Sequence, residues 1–543
     1  MFESTIAYSR TGVQRGWRRR RNLFAAAFCG FCILTPAISG ERQGARQAAY
    51  EQAAQFIQQG KPGSAVPILQ RVLKTSPRDI RAHNLMGIAL SASGKLAEAN
   101  THFERAYKIN PRFHAALKNL GLNELKLQRV DEAQAHLEQF LSFVPQDPAA
   151  NLALAEIYAQ KGEHAQAVER YIGSQGLFLR TAATILNFAR SCFESGQGQK
   201  AAAALELIGP EADGRAHFQA GLLLAQLAKY DAAARQFEMA RKDYPDPYEA
   251  GYNLTLAYAR QQNYTAAIQT AEGLIAEGHR KAELYNLLAE AYERSNRTVD
   301  AYNALRIATQ LEPQDENNYL DLVALGVDHR NYDLAFGIIE IGLKNIPNSY
   351  RLRLQRGAVL AFQGQLTRAL EDFELAAKLE PSKDLPYYGM VMALMQTDKA
   401  ARAREILRER LQRKPDDYLL LYALGEMQDR VGASPGTPEE EEAVKALERS
   451  IELEPNMSTS RIALGRMLLR RGDLDNAIRH LEKAIELNPV DLSPCYQLAT
   501  AYRRKGNKAK AEEYQAKFER YKEEDRDRYM NVQILRLLRE GEK

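Results

Sequence analysis

The sequence predicts an all-α protein, a solenoid of about fourteen helix–turn–helix repeats, from three observations. Prolines recur 34 residues apart, at Pro77, Pro111 and Pro145, at Pro313, Pro347, Pro381 and Pro415, and at Pro455 and Pro489. A mostly small residue keeps the same beat in each first helix: Ala53, Gly87, Gly121, Ala155, Ala189, Gly221, Thr255, Ala289, Val323, Gly357, Val391, Gly425, Gly465 and Ala499. An alanine opens each second helix in step with it, from Ala65, Ala99 and Ala133 through Ala443, Ala477 and Ala511. Small residues at such positions let paired helices approach closely.

The stretch Ile80 to Phe113 shows how one 34-residue unit folds. Its first helix is expected from about Arg81 to Ser93, packing through Leu85, Met86, Ile88 and Ala89. Gly94 ends it, because glycine turns cheaply into the left-handed conformation. The second helix is expected over Leu96 to Ile109, with Ala99, Phe103 and Ala106 on one face, and Pro111 stops it.

Taken in order, the chain opens with a segment that reads as an export signal. Arg18 to Arg21 form a positive region, Leu23 to Leu34 an apolar run too short to span a bilayer comfortably, and Ala37-Ile38-Ser39 a small-residue cleavage site. Residues 1–39 are therefore expected to be a signal peptide cut after Ser39, or an uncleaved inner-membrane anchor, which places the protein in the periplasm or outside a bacterium. The only tryptophan, Trp17, lies in this leader, so a cleaved chain should lack tryptophan fluorescence. Residues 1–39 hold six arginines and one acid; without them the formal charge falls from +4 to −1. Such a near-neutral chain lacks the clustered positive charge of general nucleic-acid binders, and membrane contact is expected only through the leader. Cys192 and Cys495 fall on inward positions and are expected as free, buried thiols.

Repeats 1–4 are placed at residues 45–172. Residues 173–213 form an irregular fifth repeat, where Gly173 to Gly176 interrupt a second helix and two residues are missing near Gly209-Pro210. Repeats 6–14 fill residues 214–520. Six residues are inserted between Pro415 and Pro455; Val431-Gly-Ala-Ser-Pro-Gly-Thr-Pro reads as a loop, after which Thr437 caps a helix, Pro438 takes its first turn and Glu439 to Glu442 complement its dipole. Residues 521–543, with Tyr529, Val532, Leu535 and Leu538 in helical register, read as a polar-faced cap on the exposed end of the array, or as a partner-docking helix.

The 34-residue unit resembles the tetratricopeptide repeat, and the resemblance covers nearly all of the chain after the leader. It implies a right-handed superhelix whose first helices line a concave groove with their fifth, ninth and twelfth positions. Mapped here, the fifth positions are Phe218, Tyr252, Leu320, Leu354, Tyr388, Tyr422, Ile462 and Tyr496, joined by Met392, Met395 and Phe193. An aromatic and methionine-lined groove suits peptide segments with apolar side chains. The same residues could equally pack against neighbouring helices. Gly326 and Glu124 stand where the family favours tyrosine, so looser packing is expected there. The lysine–asparagine clamp that some members use for a terminal carboxylate is missing: Asn84 and Ile88, then Lys118 and Leu122, hold its places. Asn119, Asn187 and Asn253 make only a broken version of the asparagine ladder other members carry.

No catalytic or phosphate-binding motif occurs, and the nine histidines lack metal-ligand spacing. His102 and His136 are expected to face solvent. The sequence thus points to an exported, non-enzymatic scaffold without cofactor or metal, whose partners are proteins or peptides. The alternative is a structural part of an envelope or polysaccharide-secretion assembly.

Overall fold

A computed structural model describes residues 40–397, 399–489 and 491–524. The export segment expected at 1–39 and nearly all of the cap expected at 521–543 lie outside them. Among the described residues every regular element is helical. Contacts divide the chain after Gln261 into two compact units, each a run of helical hairpins.

The hairpin built by Ile80–Ala92 and Leu96–Ile109 shows why these residues fold this way. Asp79 caps the first helix by accepting from the Ala82 amide at 2.9 Å. Gly94 turns the chain at φ +79°. A Cβ on Gly87 would stand 2.5 Å from the Phe103 ring, so only glycine lets the helices meet there. The same contact recurs between Gly121 and Leu137 at 2.8 Å, Gly221 and Phe237 at 2.6 Å, Gly357 and Phe373 at 2.7 Å, and Gly465 and Leu481 at 2.6 Å. Phe103, Leu137, Phe237, Phe373 and Leu481 are all buried.

Glycine is not the only residue at the hairpin turn. Gly94, Gly162, Gly196, Gly364 and Gly472 are left-handed, but Gln128, Ala228, Gln262, Asn296 and Arg330 take the same conformation at φ between +55° and +65° in corresponding turns. Those turns carry strain that the packed hairpin overrides.

The irregular fifth repeat is short in its second helix, Gly198–Leu205, and its first helix, Ala182–Glu194, is preceded by a 3-10 turn over Leu177–Arg180. In the insertion, Gly432 is left-handed at the end of the helix Tyr418–Val431. Thr437 accepts from the Glu440 amide at 3.3 Å and Pro438 opens the helix Pro438–Leu453, with Glu439, Glu440 and Glu441 in its first turn. The last described helix, Lys508–Glu524, runs through the border at 521 without a break.

The turn strain has a measurable cost. Ala228→Gly is expected to raise stability by up to about 1 kcal/mol, since relief of the left-handed strain outweighs glycine's larger unfolded-state entropy. Chemical denaturation measures it; a loss of stability would show that the turn is unstrained.

Candidate functional site

Polar side chains fasten each hairpin to its neighbour. The side chain six residues beyond a framing proline bonds that proline's carbonyl: His83 Nε2 to Pro77 at 3.0 Å, Asn151 to Pro145 at 2.9 Å, Tyr319 to Pro313 at 3.2 Å, Arg353 to Pro347 at 3.3 Å and Arg461 to Pro455 at 3.0 Å. Further along the first helix, a tyrosine hydroxyl donates to a glutamate on the preceding second helix: Tyr158 to Glu138 at 2.7 Å, Tyr292 to Glu272 at 2.6 Å and Tyr502 to Glu482 at 2.6 Å. Burial and the adjoining carboxylate push the Tyr158 phenol up to about 12. Neither device is visible in an apolar pattern, though a polar residue six positions after Pro77, Pro145, Pro313, Pro347 and Pro455 was a signal, one missing after Pro111 and Pro415, where Leu117 and Leu421 stand.

At Glu124, where tyrosine was expected, packing is not loose. The carboxylate is buried and accepts from His136 Nδ1 at 2.8 Å. Gly326 is filled from outside: a Cβ there would meet the Ala335 methyl at 3.3 Å. Nor do His102 and His136 simply face solvent. His102 Nδ1 lies 2.9 Å from His83 Nδ1, so one ring donates to the other, and burial with His83 beside it lowers the His102 pKa.

The expected groove residues divide into two groups. Leu354 and Tyr388 are wholly buried, and Phe218, Met392, Tyr422 and Ile462 nearly so. Phe218 stacks on Tyr244 at 4.1 Å, and the rings of Tyr388 and Tyr422 stand 6.3 Å apart in one cluster with Leu354 and Met392. Tyr252, Leu320, Met395 and Phe193 are half-buried, and Tyr496 is 52 % exposed, 5.4 Å from Phe518. The expectation that Phe218, Leu354, Tyr388, Met392 and Tyr422 present themselves to a partner is therefore corrected: they close into the core, Phe218 against Phe237 and Tyr244 of its own hairpin, and Tyr388 against Tyr422 between the first helices Leu385–Met395 and Tyr418–Val431. The physical reason is close approach of those helices. The helix Tyr418–Val431 is buried along its whole circumference from Leu419 to Asp429, which is how a helix inside a core behaves.

That burial encloses charges. Glu426 and Asp429 are buried and meet Arg466, with Nη2 at 2.5 Å from Glu426 and Nε at 2.9 Å from Asp429. Arg430 adds a bond to Glu426 at 3.1 Å, and Arg470 pairs with Asp429. Arg356 likewise spans Asp372, at 2.7 Å and 2.8 Å, and Glu340. Three arginines on two carboxylates satisfy charges that would otherwise be costly to bury.

Four apolar side chains left partly open on first helices of the first unit sit one turn along, at ninth positions, which Glu156 and Arg190 hold in the fourth and fifth repeats. Ile88, Leu122 and Leu256 are half-buried and Leu222 is 39 % exposed, with Tyr252 beside them in sequence. The asparagines are engaged within the chain: Asn119 donates to Asn84 at 2.9 Å, Asn187 to Glu156 at 2.7 Å, and Asn253 to the Glu249 carbonyl at 2.9 Å. Cys192 and Cys495 are free and buried, and burial pushes their thiols up to about 12 and about 11, so neither offers a thiolate at neutral pH. Among the described residues no three His, Cys, Asp or Glu side chains gather to hold a metal ion, and no helix is long and apolar enough to cross a membrane.

Models of the tetratricopeptide repeat match residues 50–112, 118–172, 218–279, 441–491 and 492–525. The chain carries tetratricopeptide repeats. Its repeats are similar to those of several curated proteins. They match the peroxisomal targeting signal receptor of Candida albicans at 23 % identity over 272 residues, 48 % of this chain and 44 % of that protein. They match cellulose synthase 2 operon protein C of Komagataeibacter xylinus at 25 % over 360 residues, 61 % of this chain and 27 % of that one. Anaphase-promoting complex subunit 3 of Schizosaccharomyces pombe matches at 24 % over 188 residues, 34 % of this chain and 28 % of that one. The chain thus spans less than half the length of each of these relatives. Among solved structures, yeast Tom70 is similar with a TM-score of 0.41 at 17 % identity, over 80 % of this chain and 96 % of that one.

The repeat devices can be titrated. The Glu124 hydrogen bond raises the His136 pKa above its ordinary 6.5, against burial, which lowers it. The stabilisation from this pair is therefore complete below pH 6.5 and is lost as pH rises through the raised folded-state value. In Glu124→Gln the His136 resonance is expected to titrate at lower pH, and the neutral-pH stability to fall by about 1–3 kcal/mol. An unchanged titration curve would show that the pair is not formed.

Proposed function

We propose that this chain is an exported, non-enzymatic scaffold that holds peptide segments of protein partners against the first helices of its tetratricopeptide repeats. The observation that carries this is the ninth-position row of Ile88, Leu122, Leu222 and Leu256. It keeps apolar side chains partly open on two pairs of neighbouring hairpins, with Glu156 and Arg190 at the ninth positions between them, while the fifth positions of Phe218, Leu354, Tyr388 and Tyr422 close into the core. A row fixed by stacked helices needs little ordering when a partner arrives, so more of the contact energy appears as affinity. Half-open Leu and Tyr side chains suit an extended or helical peptide with apolar residues. Export rests on the arginine-led apolar leader, and a chain cut after Ser39 carries no indole.

A second reading has one observation in its favour. The match to cellulose synthase 2 operon protein C covers 61 % of this chain. It fits a structural role in an envelope or polysaccharide-secretion assembly, in which the repeats bridge other components.

Pull-down from an envelope extract with Leu222→Asp/Tyr252→Ala separates the two. The peptide-holding reading expects the recovered partner to drop at least about tenfold, as loss of one or two apolar anchors implies. Undiminished recovery by a folded variant contradicts it and leaves the bridging role.

A further inference from the structure

We propose that a cavity on the hairpin Ser458–Arg471 and Leu474–Leu487 binds the side-chain carboxylates of an acidic peptide segment through Arg461 and Arg479. The cavity measures about 470 Å³ and is lined by both arginines, His480 and four further charged residues. Its acids are already taken. Asp475 pairs with Lys505, Glu482 accepts from Tyr502 at 2.6 Å and Tyr514 at 3.3 Å, and Glu486 pairs with Lys483 at 2.8 Å. Among the described residues no carboxylate pairs with either arginine. Arg461 gives Nε and Nη2 to the Pro455 carbonyl at 3.3 Å and 3.0 Å, and its Nη1 meets no acceptor among the described residues. Arg479 is exposed. His480 Nδ1 is buried at the same cavity with no hydrogen-bond partner.

Two uncompensated guanidiniums beside one another disfavour the empty site. Their mutual repulsion, added to burial, lowers the Arg461 pKa, and burial with both arginines pushes His480 down to about 4, so its ring is neutral. A carboxylate relieves this directly, because its two oxygens match the guanidinium fork. The volume is far greater than one small oxyanion needs. The lining acids Asp475 and Glu486, paired with Lys505 and Lys483, oppose a dense polyanion and accept a peptide whose acids are spaced by neutral residues. This inference rests on the scaffold reading and adds a partner chemistry to it. Its residues belong to the second unit and those of the ninth-position row to the first, so Leu222→Asp/Tyr252→Ala changes none of them and each reading fails on its own variant.

Calorimetric titration of the full chain at low salt tests it, with an acetylated hexapeptide of alternating glutamate and serine as probe and inorganic phosphate in parallel. The peptide is expected to bind, more weakly as salt is added, with a shift of the His480 ring resonances. Arg479→Gln, at an exposed position that bears no core contact, is expected to weaken binding about tenfold, the worth of one charge-assisted hydrogen bond. Equal affinity for wild type and Arg479→Gln overturns the proposal. So does the absence of peptide binding, or binding of phosphate alone, which would mark a small-anion site.

Discussion

The contact on which everything else depends is a glycine pressed against a large side chain. Gly87 on Phe103, Gly221 on Phe237 and Gly357 on Phe373 leave no room for a Cβ. That approach sets the spacing of the hairpins that carry glycine here, and the spacing sets how much apolar surface the pair presents to its neighbours. A repeat cannot bury that surface alone, so hairpins stabilise one another through nearest-neighbour contact. The alanines Ala99, Ala233 and Ala369, each fully buried, extend the same close approach.

On that frame, polar bonds fix the register between repeats. The side chain that ties back to Pro77, Pro145, Pro313, Pro347 or Pro455 is of four different types, His, Asn, Tyr and twice Arg, yet the geometry is shared. The Tyr158, Tyr292 and Tyr502 bonds do the same at the other end of the first helix. Each contributes on the order of 1 kcal/mol, and leaving its buried partner unsatisfied costs more. Where the apolar seam is thickest, along Tyr418–Val431, charges replace these bonds, with Arg466 joining Glu426 and Asp429 of the preceding first helix.

Most of the fold could be read from the sequence because its cause is periodic. The glycine, alanine and proline beats located the helix Leu96–Ile109 to the residue, and the capping pattern of Thr437, Pro438 and the glutamates after them located the cap at Thr437. The candidate site was harder to read. Whether Tyr388 or Leu222 remains open depends on how far the next first helix slides over it, a distance of a few ångströms that no residue type records. Tyrosine at the fifth position suits a groove and a seam alike, and Tyr388 and Tyr422 went to the seam. His136 was misread because its partner, Glu124, stood where an aromatic residue was expected. The uncompensated Arg461 and Arg479 emerge only when the partners of Asp475, Glu482 and Glu486 are known.

A surface built this way is stiff locally and stabilised by short-range contacts. Partners then meet side chains held in place by neighbouring hairpins, and the chain's chemistry lies on helix faces. Native-state hydrogen exchange of Gly357→Val tests the short-range character most directly. Protection should fall in Tyr350–Phe362, Leu366–Leu379 and the hairpins beside them, and stay unchanged over residues 44–172. A uniform loss of protection along the whole chain would contradict the account, because it would mean one global core instead of a stack of neighbours.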